Sequence, residues 1–361
     1  MLSRLEIHNV RNLSTARLSS LPRVAVFAGP NGSGKTSLLE AIHLLGLARS
    51  FRSTRVKTVI QHGQPSLTVF GEVAAAGSQR SVPLGVQRTS DGELILKCDG
   101  EPLKTVAALA EQLPLQVINA DSFDLLVGPP KTRRQYLDWG VFHVEHAFLG
   151  VWQRYQRALK QRNNLLRRDK IDDNALAPWT NELIQAGEAI DALRSAFFEA
   201  LEPCFQDVLA SLSSGLNGVS LSYRRGWDKS MSLRDALEKT RQADMEQGYT
   251  HSGPQRGDVR VMVGQHLAAD TLSRGQQKLV VCAMKLAQGR LLTAKKASNS
   301  VYLVDDLPSE LDSEHCRRVC RSLDELGAQV FITCVDAADI VSVWPEGSSP
   351  TVFHVEQGKL A

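Results

Sequence analysis

Gly29-Pro30-Asn31-Gly32-Ser33-Gly34-Lys35-Thr36 is the stretch that decides how this chain folds. Before it runs Arg23-Val24-Ala25-Val26-Phe27-Ala28, an apolar, strand-like segment. After it Leu38, Leu39, Ala41, Ile42, Leu44 and Leu45 recur at the spacing of a packed helix. Strand, glycine-rich loop and helix, in that order, build a phosphate cradle. The three glycines let the backbone curl until successive N–H groups face inward, and the start of the helix adds the positive end of its dipole. A triphosphate such as ATP fits this loop, with Lys35 neutralising the β- and γ-phosphates and the Thr36 hydroxyl reaching Mg²⁺. The expected binding residues are Gly29, Pro30, Asn31, Gly32, Ser33, Gly34, Lys35, Thr36 and Ser37.

A second glycine-bearing segment lies far downstream. In Leu272-Ser273-Arg274-Gly275-Gln276-Gln277-Lys278 the serine stands where a helix is capped, and the apolar run 279–287 reads as that helix. Val301-Tyr302-Leu303-Val304 follows, a short apolar run of the buried parallel-sheet kind that closes on Asp305 and Asp306. Asp305 is expected to hold Mg²⁺ through water, making Thr36 and Asp305 the metal residues. Asp306 is expected to position or deprotonate an attacking water, making Lys35, Asp305 and Asp306 the catalytic set. Because side chains alternate along a strand, the two carboxylates are expected to point in different directions.

At 361 residues the chain can bury one large or two ordinary cores. Hydrophobic residues at 43% and charged residues at 22% exclude a disordered chain, and no apolar run approaches the ~20 residues of a bilayer span. The opening Met1-Leu2-Ser3-Arg4-Leu5-Glu6 lacks the build of a signal peptide, and six scattered cysteines read as reduced thiols, so a cytoplasmic location is expected. The net charge of +3 decides little, but its distribution is informative. Basic residues dominate 131–170 and acidic ones 171–220, which predicts two helices, 143–168 and 179–211, with paired charged edges, a turn at 171–178 and Pro178 at a helix start. The run 5–10 alternates as a strand, the strand-like runs at 67–70, 82–86 and 94–98 suggest an antiparallel meander, and the chain is expected to return to strands from 219.

Further motifs complete the reading. Leu5-Glu6-Ile7-His8-Asn9-Val10-Arg11-Asn12, Asp124-Leu125-Leu126-Val127-Gly128-Pro129-Pro130-Lys131-Thr132-Arg133-Arg134, Leu137-Asp138-Trp139-Gly140, Thr250-His251-Ser252-Gly253-Pro254-Gln255-Arg256-Gly257-Asp258 and Leu303-Val304-Asp305-Asp306-Leu307-Pro308-Ser309-Glu310-Leu311-Asp312 accompany the two glycine segments. This ordered set resembles the RecF family of SMC-related, ABC-type ATPases over essentially the whole chain, and the Ser273 segment resembles the ABC signature motif. The resemblance implies an α/β fold: a P-loop ATPase core of mixed sheet with an antiparallel meander, carrying an inserted helical-hairpin lobe. The corresponding division is 1–120 for the first half of the core, 121–218 for the lobe and 219–361 for the second half.

The same resemblance implies an ATP-driven homodimer that binds single- and double-stranded DNA and gap junctions. Such a protein acts with RecR and RecO to load RecA in gap repair and replication restart, and hydrolyses ATP slowly with stimulation by DNA. Ser273, Arg274, Gly275 and Gln276 would serve the partner copy's nucleotide, 309–312 would resemble the D-loop, and Arg11 and Asn12 would match an N-terminal element that approaches nucleotide. Three departures stand out: Pro308 in the D-loop, Cys334-Val335-Asp336 where transporters carry a switch histidine, and Asn119-Ala120-Asp121 where relatives place a glutamine. The competing readings are the ATPase subunit of a membrane transporter and a structural SMC-like clamp, and the missing histidine and short hairpin speak against them. His143, Glu145 and His146 imitate a metal cluster without a third ligand at suitable spacing. Trp139, Trp152, Tyr155 and Trp179 read as core packing. The cations of 154–170, with Lys131, Arg133 and Arg134, are candidates for DNA contact.

Overall fold

The computed structural model describes residues 1–74, 80–168, 170, 172–296 and 300–360. Asp169 and Ile171, which the sequence reading placed in the basic run and the inter-helix turn, lie outside the described residues. Contacts divide the chain into two units. The first is Met1–Ser122, Ser211–Ser214 and Lys278–Ala361, and the second is Phe123–Ala210 and Gly215–Gln277. The sequence reading closed the inserted lobe at 218, whereas these contacts keep 215–277 with it.

In the first unit β1 (Leu2–Val10), β2 (Leu13–Leu18), β4 (Ser66–Ala74), β5 (Ser81–Thr89), β6 (Leu94–Cys98) and β7 (Glu101–Pro102) form an antiparallel sheet ordered β2-β1-β4-β5-β6-β7. Alternate residues of β4 are buried, as expected of a sheet with one face on a core. The second sheet, ordered β15-β14-β3-β13-β12-β8, contains β3 (Val24–Ala28), β8 (Leu115–Ile118), β12 (Val301–Val304), β13 (Gln329–Cys334), β14 (Thr351–Glu356) and β15 (Lys359–Leu360). Its pairs are parallel except β14 with β15, and β3, β12 and β13 are buried along their whole length. α1 (Lys35–Leu47) packs against strands of both sheets, so its Leu38, Leu39, Ile42 and Leu45 are completely buried. Gln329 ties the sheets together: its Oε1 accepts from the Leu2 N–H at 2.7 Å and its Nε2 donates to the Leu2 carbonyl at 2.7 Å. α2 (Val106–Gln112) belongs to the same unit.

The second unit holds α3 (Asp124–Val127), α4 (Pro130–Val144), α5 (Phe148–Leu166), most of α6 (Asp173–Leu212), α7 (Leu233–Gln247) and α8 (Ala268–Thr271). It also holds a small antiparallel sheet ordered β11-β10-β9, from β9 (Val219–Arg224), β10 (Asp258–Val263) and β11 (His266–Leu267). α9 (Arg274–Lys296) begins here, and α10 (Leu307–Glu310), α11 (Ser313–Glu325) and α12 (Ala338–Val341) follow in the first unit. Three expectations need correction. The helix expected over 143–168 is two helices, because Glu145 turns extended (φ −113°, ψ 106°) and α5 restarts with buried Phe148. Pro178 lies inside α6 rather than at its start: the helix begins at Asp173, and in the second turn a missing N–H costs a single intrahelical bond. The return to strands at 219 is interrupted by α7, whose buried Leu233, Ala236 and Leu237 are few among charged residues.

Inside the second unit arginines of the basic run, and Arg194 of the acidic stretch, are committed to ion pairs. Arg133 meets Asp258 at 2.8 Å, Arg162 meets Asp244 at 2.8 Å, Arg194 meets Asp138 at 2.7 Å and Arg154 meets Glu182 at 2.7 Å. Arg134 donates to the Gly257 carbonyl at 2.8 Å. Arg133 and Arg134, offered above as DNA contacts, therefore hold the 257–258 corner. Tyr155 is buried as expected, while Trp152 is 37% exposed. All six cysteines are free thiols, and no group of three metal-ligating side chains occurs among the described residues.

Candidate nucleotide site

β3 delivers the chain into the glycine loop, and α1 leaves it. Gly34 precedes the helix in a left-handed conformation (φ 116°) that only glycine adopts without strain, and no side chain caps the first turn, so its N–H groups remain for an incoming anion. Gly29 is required for a different reason: a Cβ there would run into the Val355 carbonyl oxygen of β14. The loop is anchored by Gly29 N–H donating to the Cys334 carbonyl at 3.3 Å and by Gly358 N–H donating to the Ser33 carbonyl at 2.7 Å.

A cleft of about 450 Å³ opens on this loop, lined by Arg11, Asn12, Asn31, Gly32, Gly34, Lys35, Thr36, Ser37, Arg52, Asp305, Asp306 and Thr333. Lys35 is buried, and its ammonium donates to the carbonyls of Gly29 at 2.7 Å and Pro30 at 2.9 Å. The Thr36 hydroxyl donates to Asp305 Oδ1 at 2.9 Å, and Thr333 Oγ1 donates to the same oxygen at 2.7 Å. Thr333 Oγ1 also accepts the Asp306 N–H at 2.9 Å. One threonine thus fixes both carboxylate residues. Asp306 sits in the left-handed region (φ 54°, ψ 47°), and it lines the same cleft as Asp305. β12 ends at Val304, so strand alternation does not set the directions of these two side chains.

Arg11 and Asn12 form the turn between β1 and β2 and reach the loop from the side. Asn12 Nδ2 donates to the Gly32 carbonyl at 3.2 Å, and its Oδ1 accepts from the Ser37 hydroxyl at 2.9 Å. Arg11 makes a bidentate pair with fully buried Glu40, Nε to Oε2 at 2.9 Å and Nη2 to Oε1 at 2.8 Å, and also donates to the Thr58 carbonyl. Ser50 donates to Glu40 as well, and Arg52 Nη1 lies 3.8 Å from it. The structure therefore gathers Arg11, Asn12, Asn31, Gly32, Gly34, Lys35, Thr36, Ser37, Asp305 and Asp306 around one cleft, with Gly29, Pro30 and Ser33 in the loop beneath.

Ser273, Arg274, Gly275 and Gln276 are not among the residues lining the cleft. They open α9 in the second unit, where Ser273 and Gln276 form a reciprocal cap: Ser273 N–H donates to Gln276 Oε1 at 2.9 Å, and Gln276 N–H donates to Ser273 Oγ at 3.4 Å. Ser273, Arg274 and Gly275 are exposed. Pro308 is accommodated in the first turn of α10, where its missing N–H is no loss. Asn119 does not line the cleft, and its Oδ1 accepts from the Ser122 hydroxyl at 2.8 Å.

Sequence reasoning missed Thr333, Glu40 and Arg52. A lone threonine inside the apolar run of β13 was the available signal for the first. Glu40, a carboxylate among the leucines of α1, was the signal for the second. The residues present fit the group the loop implies. A hydroxyl and a carboxylate already share a hydrogen bond where a divalent cation would be held, and the buried Ser33 hydroxyl has no hydrogen-bond partner among the described residues.

The N-terminal domain model described as RecF/RecN/SMC matches residues 1–358. The chain is 53% identical to the DNA replication and repair protein RecF of Stutzerimonas stutzeri (strain A1501), covering 99% of this chain and 96% of that protein. It is 52% identical to the protein of the same name from Pseudomonas aeruginosa (strain LESB58), covering 100% and 97%. Among solved structures it is similar to the recombination mediator RecF bound to an ATP analogue in the RecFOR pathway, with a TM-score of 0.85 at 23% identity, covering 100% of this chain and 97% of that one. An Smc head bound to the C-terminal winged-helix domain of ScpA matches more distantly, with a TM-score of 0.58 at 15% identity, covering 100% and 96%. The fold is accordingly that of the ABC-type, SMC-like ATPase heads, and the chain belongs to the RecF family.

Proposed function

We propose that the chain is an ATP-dependent DNA-binding recombination mediator, acting in single-strand gap repair and replication restart. The observation that carries the proposal is the convergence in one cleft of the uncapped helix start, Lys35, and the Thr36–Asp305 pair. Bound Mg²⁺ would supply charge neutralisation at the phosphates, and Thr36 and Asp305 are the residues that would hold it. Lys35, now donating to two loop carbonyls, exchanges these for phosphate oxygens; the partners differ but the ammonium stays hydrogen-bonded. Asp306, fixed at its N–H by Thr333, acts on the attacking water. The names of the relatives, DNA replication and repair protein RecF, support the cellular role, and the ATP-bound state of the structural neighbours supports ATP as the nucleotide.

Exposure of Ser273, Arg274 and Gly275, none of which lines the cleft, supports a role for this segment on the nucleotide of a second copy. ATP then drives dimerisation and slow DNA-stimulated hydrolysis reverses it; the chain itself binds single-stranded, duplex and gapped DNA in the cytoplasm, with RecR as its partner and RecO and RecA downstream. No described helix is long and apolar enough to cross a membrane, and the family match leaves the transporter reading without support. The test is sedimentation and nucleotide binding on two variants. Lys35→Ala is expected to abolish ATP binding, and Ser273→Ala to keep it while losing ATP-driven association. A Ser273→Ala protein that dimerises normally with ATP removes the assignment in trans. DNA binding indifferent to ATP removes the coupling.

A further inference from the structure

We propose that one surface of the second unit, made of the outer face of α5 and the edge carrying Tyr249 and Arg256, binds the phosphodiester backbone of DNA; the inference rests on the DNA-binding function proposed above. α5 contains no Asp or Glu along its 19 residues. Its inner side is Phe148, Tyr155, Ala158, Arg162 and Leu166. At helical spacing on the opposite side stand Gln153, Arg157, Lys160 and Asn164, with Arg168 just beyond the end, and all five are exposed. From Arg157 to Arg168 the stripe is ~16 Å long at 1.5 Å per residue.

The stripe continues onto a second element. Asn163 Oδ1 accepts from the N–H and the hydroxyl of Thr250, at 2.9 and 2.7 Å, which seats this segment on the last turns of α5. Arg167 lies against Gly248, where a Cβ would stand 2.9 Å from its Cγ. Next to them the Arg256 guanidinium sits 5.3 Å from the centre of the Tyr249 ring. Arg256 is exposed and makes no ion pair or side-chain hydrogen bond with the described residues.

Its neighbours in the same loop are all committed. Gly253 N–H donates to the Gly226 carbonyl at 3.3 Å, and a Cβ at Gly226 would collide with the Gly253 carbonyl. Gln255 Nε2 donates to the carbonyls of Thr250 and Ser252, both at 3.2 Å, while the Tyr155 hydroxyl donates to Gln255 Oε1. Arg134 and Arg194 grip the carbonyls of Gly257 and Pro254. A loop fixed this firmly from within, showing one unpaired arginine, presents that cation at a set position.

The acids near the surface among the described residues have these partners. Glu182 pairs with Arg154, Asp244 is buried with Arg162 and His251, and exposed Glu246 accepts from the Gln242 amide at 2.7 Å. Exposed Arg157, Lys160, Arg168 and Arg256, with Gln153 and Asn164 among them, match a row of phosphates, which take charge-assisted hydrogen bonds from guanidinium and neutral ones from Gln and Asn. A nucleotide held by the Ser273 segment is a different site. Ser273 opens α9 after β10, β11 and α8, and its segment contributes no residue to the stripe or to the Tyr249–Arg256 edge.

The test uses the full-length chain and labelled duplex, single-stranded and gapped DNA, read by fluorescence anisotropy with ATP over a salt series. In Arg157→Gln/Lys160→Gln/Arg168→Gln, affinity is expected to fall roughly a hundredfold at physiological salt, and the slope of log K against log salt by ~2 to 3, at ~0.9 for each lost duplex phosphate contact. Arg256→Ala is expected to remove about one further unit, and ATP binding and the melting temperature to stay at the parent's values. Unchanged affinity and slope in the triple variant overturn the surface. Failure of the unsubstituted chain to bind any of the three DNAs overturns the proposed function instead, so the two failures are distinguishable.

Discussion

Replacing Thr333 by valine tests whether a single hydroxyl organises the carboxylates of the cleft. The substitution keeps shape and β-branching, so β13 is expected to retain its place between β3 and β12. Two hydrogen bonds go: Oγ1 to the Asp305 carboxylate at 2.7 Å, and the Asp306 N–H to Oγ1 at 2.9 Å. A bond to a charged acceptor contributes ~1.5–3 kcal/mol, and an orphaned buried donor costs ~1–3 kcal/mol. Thr333 is 1% exposed, but Asp305 and Asp306 are only partly buried and regain some solvation, which puts the sum near ~3 kcal/mol. Urea unfolding followed by tryptophan fluorescence reads this loss. Thr333→Ser keeps both bonds and is expected within about 1 kcal/mol of the parent, the residual being a buried methyl. ATP turnover should fall about tenfold or more in the valine variant, since misplacing a catalytic group costs on that scale, while nucleotide affinity, set mainly by the loop and Lys35, changes much less. A valine variant as stable and as active as the parent would refute the idea that Thr333 positions Asp305 and Asp306.

Glu40→Ala leaves the Arg11 guanidinium without its bidentate partner; with Glu40 fully buried and the Arg11 side chain 21% exposed, a loss of ~3 kcal/mol is expected in the same urea assay, and a loss below ~1 kcal/mol would show that Arg11 finds water or another acceptor. His43 gives a pH signature. Burial drives its imidazole down to about 4, against an ordinary value of 6.5, while Nδ1 bonds the Arg49 carbonyl at 2.6 Å. Between pH 6.5 and 4 the unfolded chain takes up a proton that the folded chain refuses. The contribution is therefore complete above pH 6.5 and is lost as pH falls towards 4, by roughly 3 kcal/mol. His43→Gln should flatten that part of the stability–pH curve, and a curve that keeps its slope would show that other groups produce it.

The glycine loop was legible because everything it needs is local. Gly34 must adopt a positive φ, Lys35 must follow it, and the strand and helix on either side are written in adjacent residues. The buried strands β3 and β12 were legible for the same reason, as short apolar runs that a parallel sheet covers on both faces. α7 was not, because its three buried apolar side chains are outnumbered by charges, and neither was the break between α4 and α5, which depends on where Phe148 finds its core. The fates of the arginines were hidden too. A run of cations looks uniform in sequence, yet Arg133, Arg134 and Arg162 are internal struts whereas Arg157, Arg168 and Arg256 face solvent.

Sequence by itself thus determined the phosphate loop, its lysine, the two carboxylates and the parallel sheet that carries them, since each follows from conformational preferences of neighbouring residues. Only the tertiary structure decided how the cleft is completed. Thr333 meets Asp305 from 28 residues away, Arg11 meets Glu40 from 29, and Thr36 meets Asp305 from 269. Such partners are selected by the order of strands in a sheet, a long-range property that no local pattern of residues encodes.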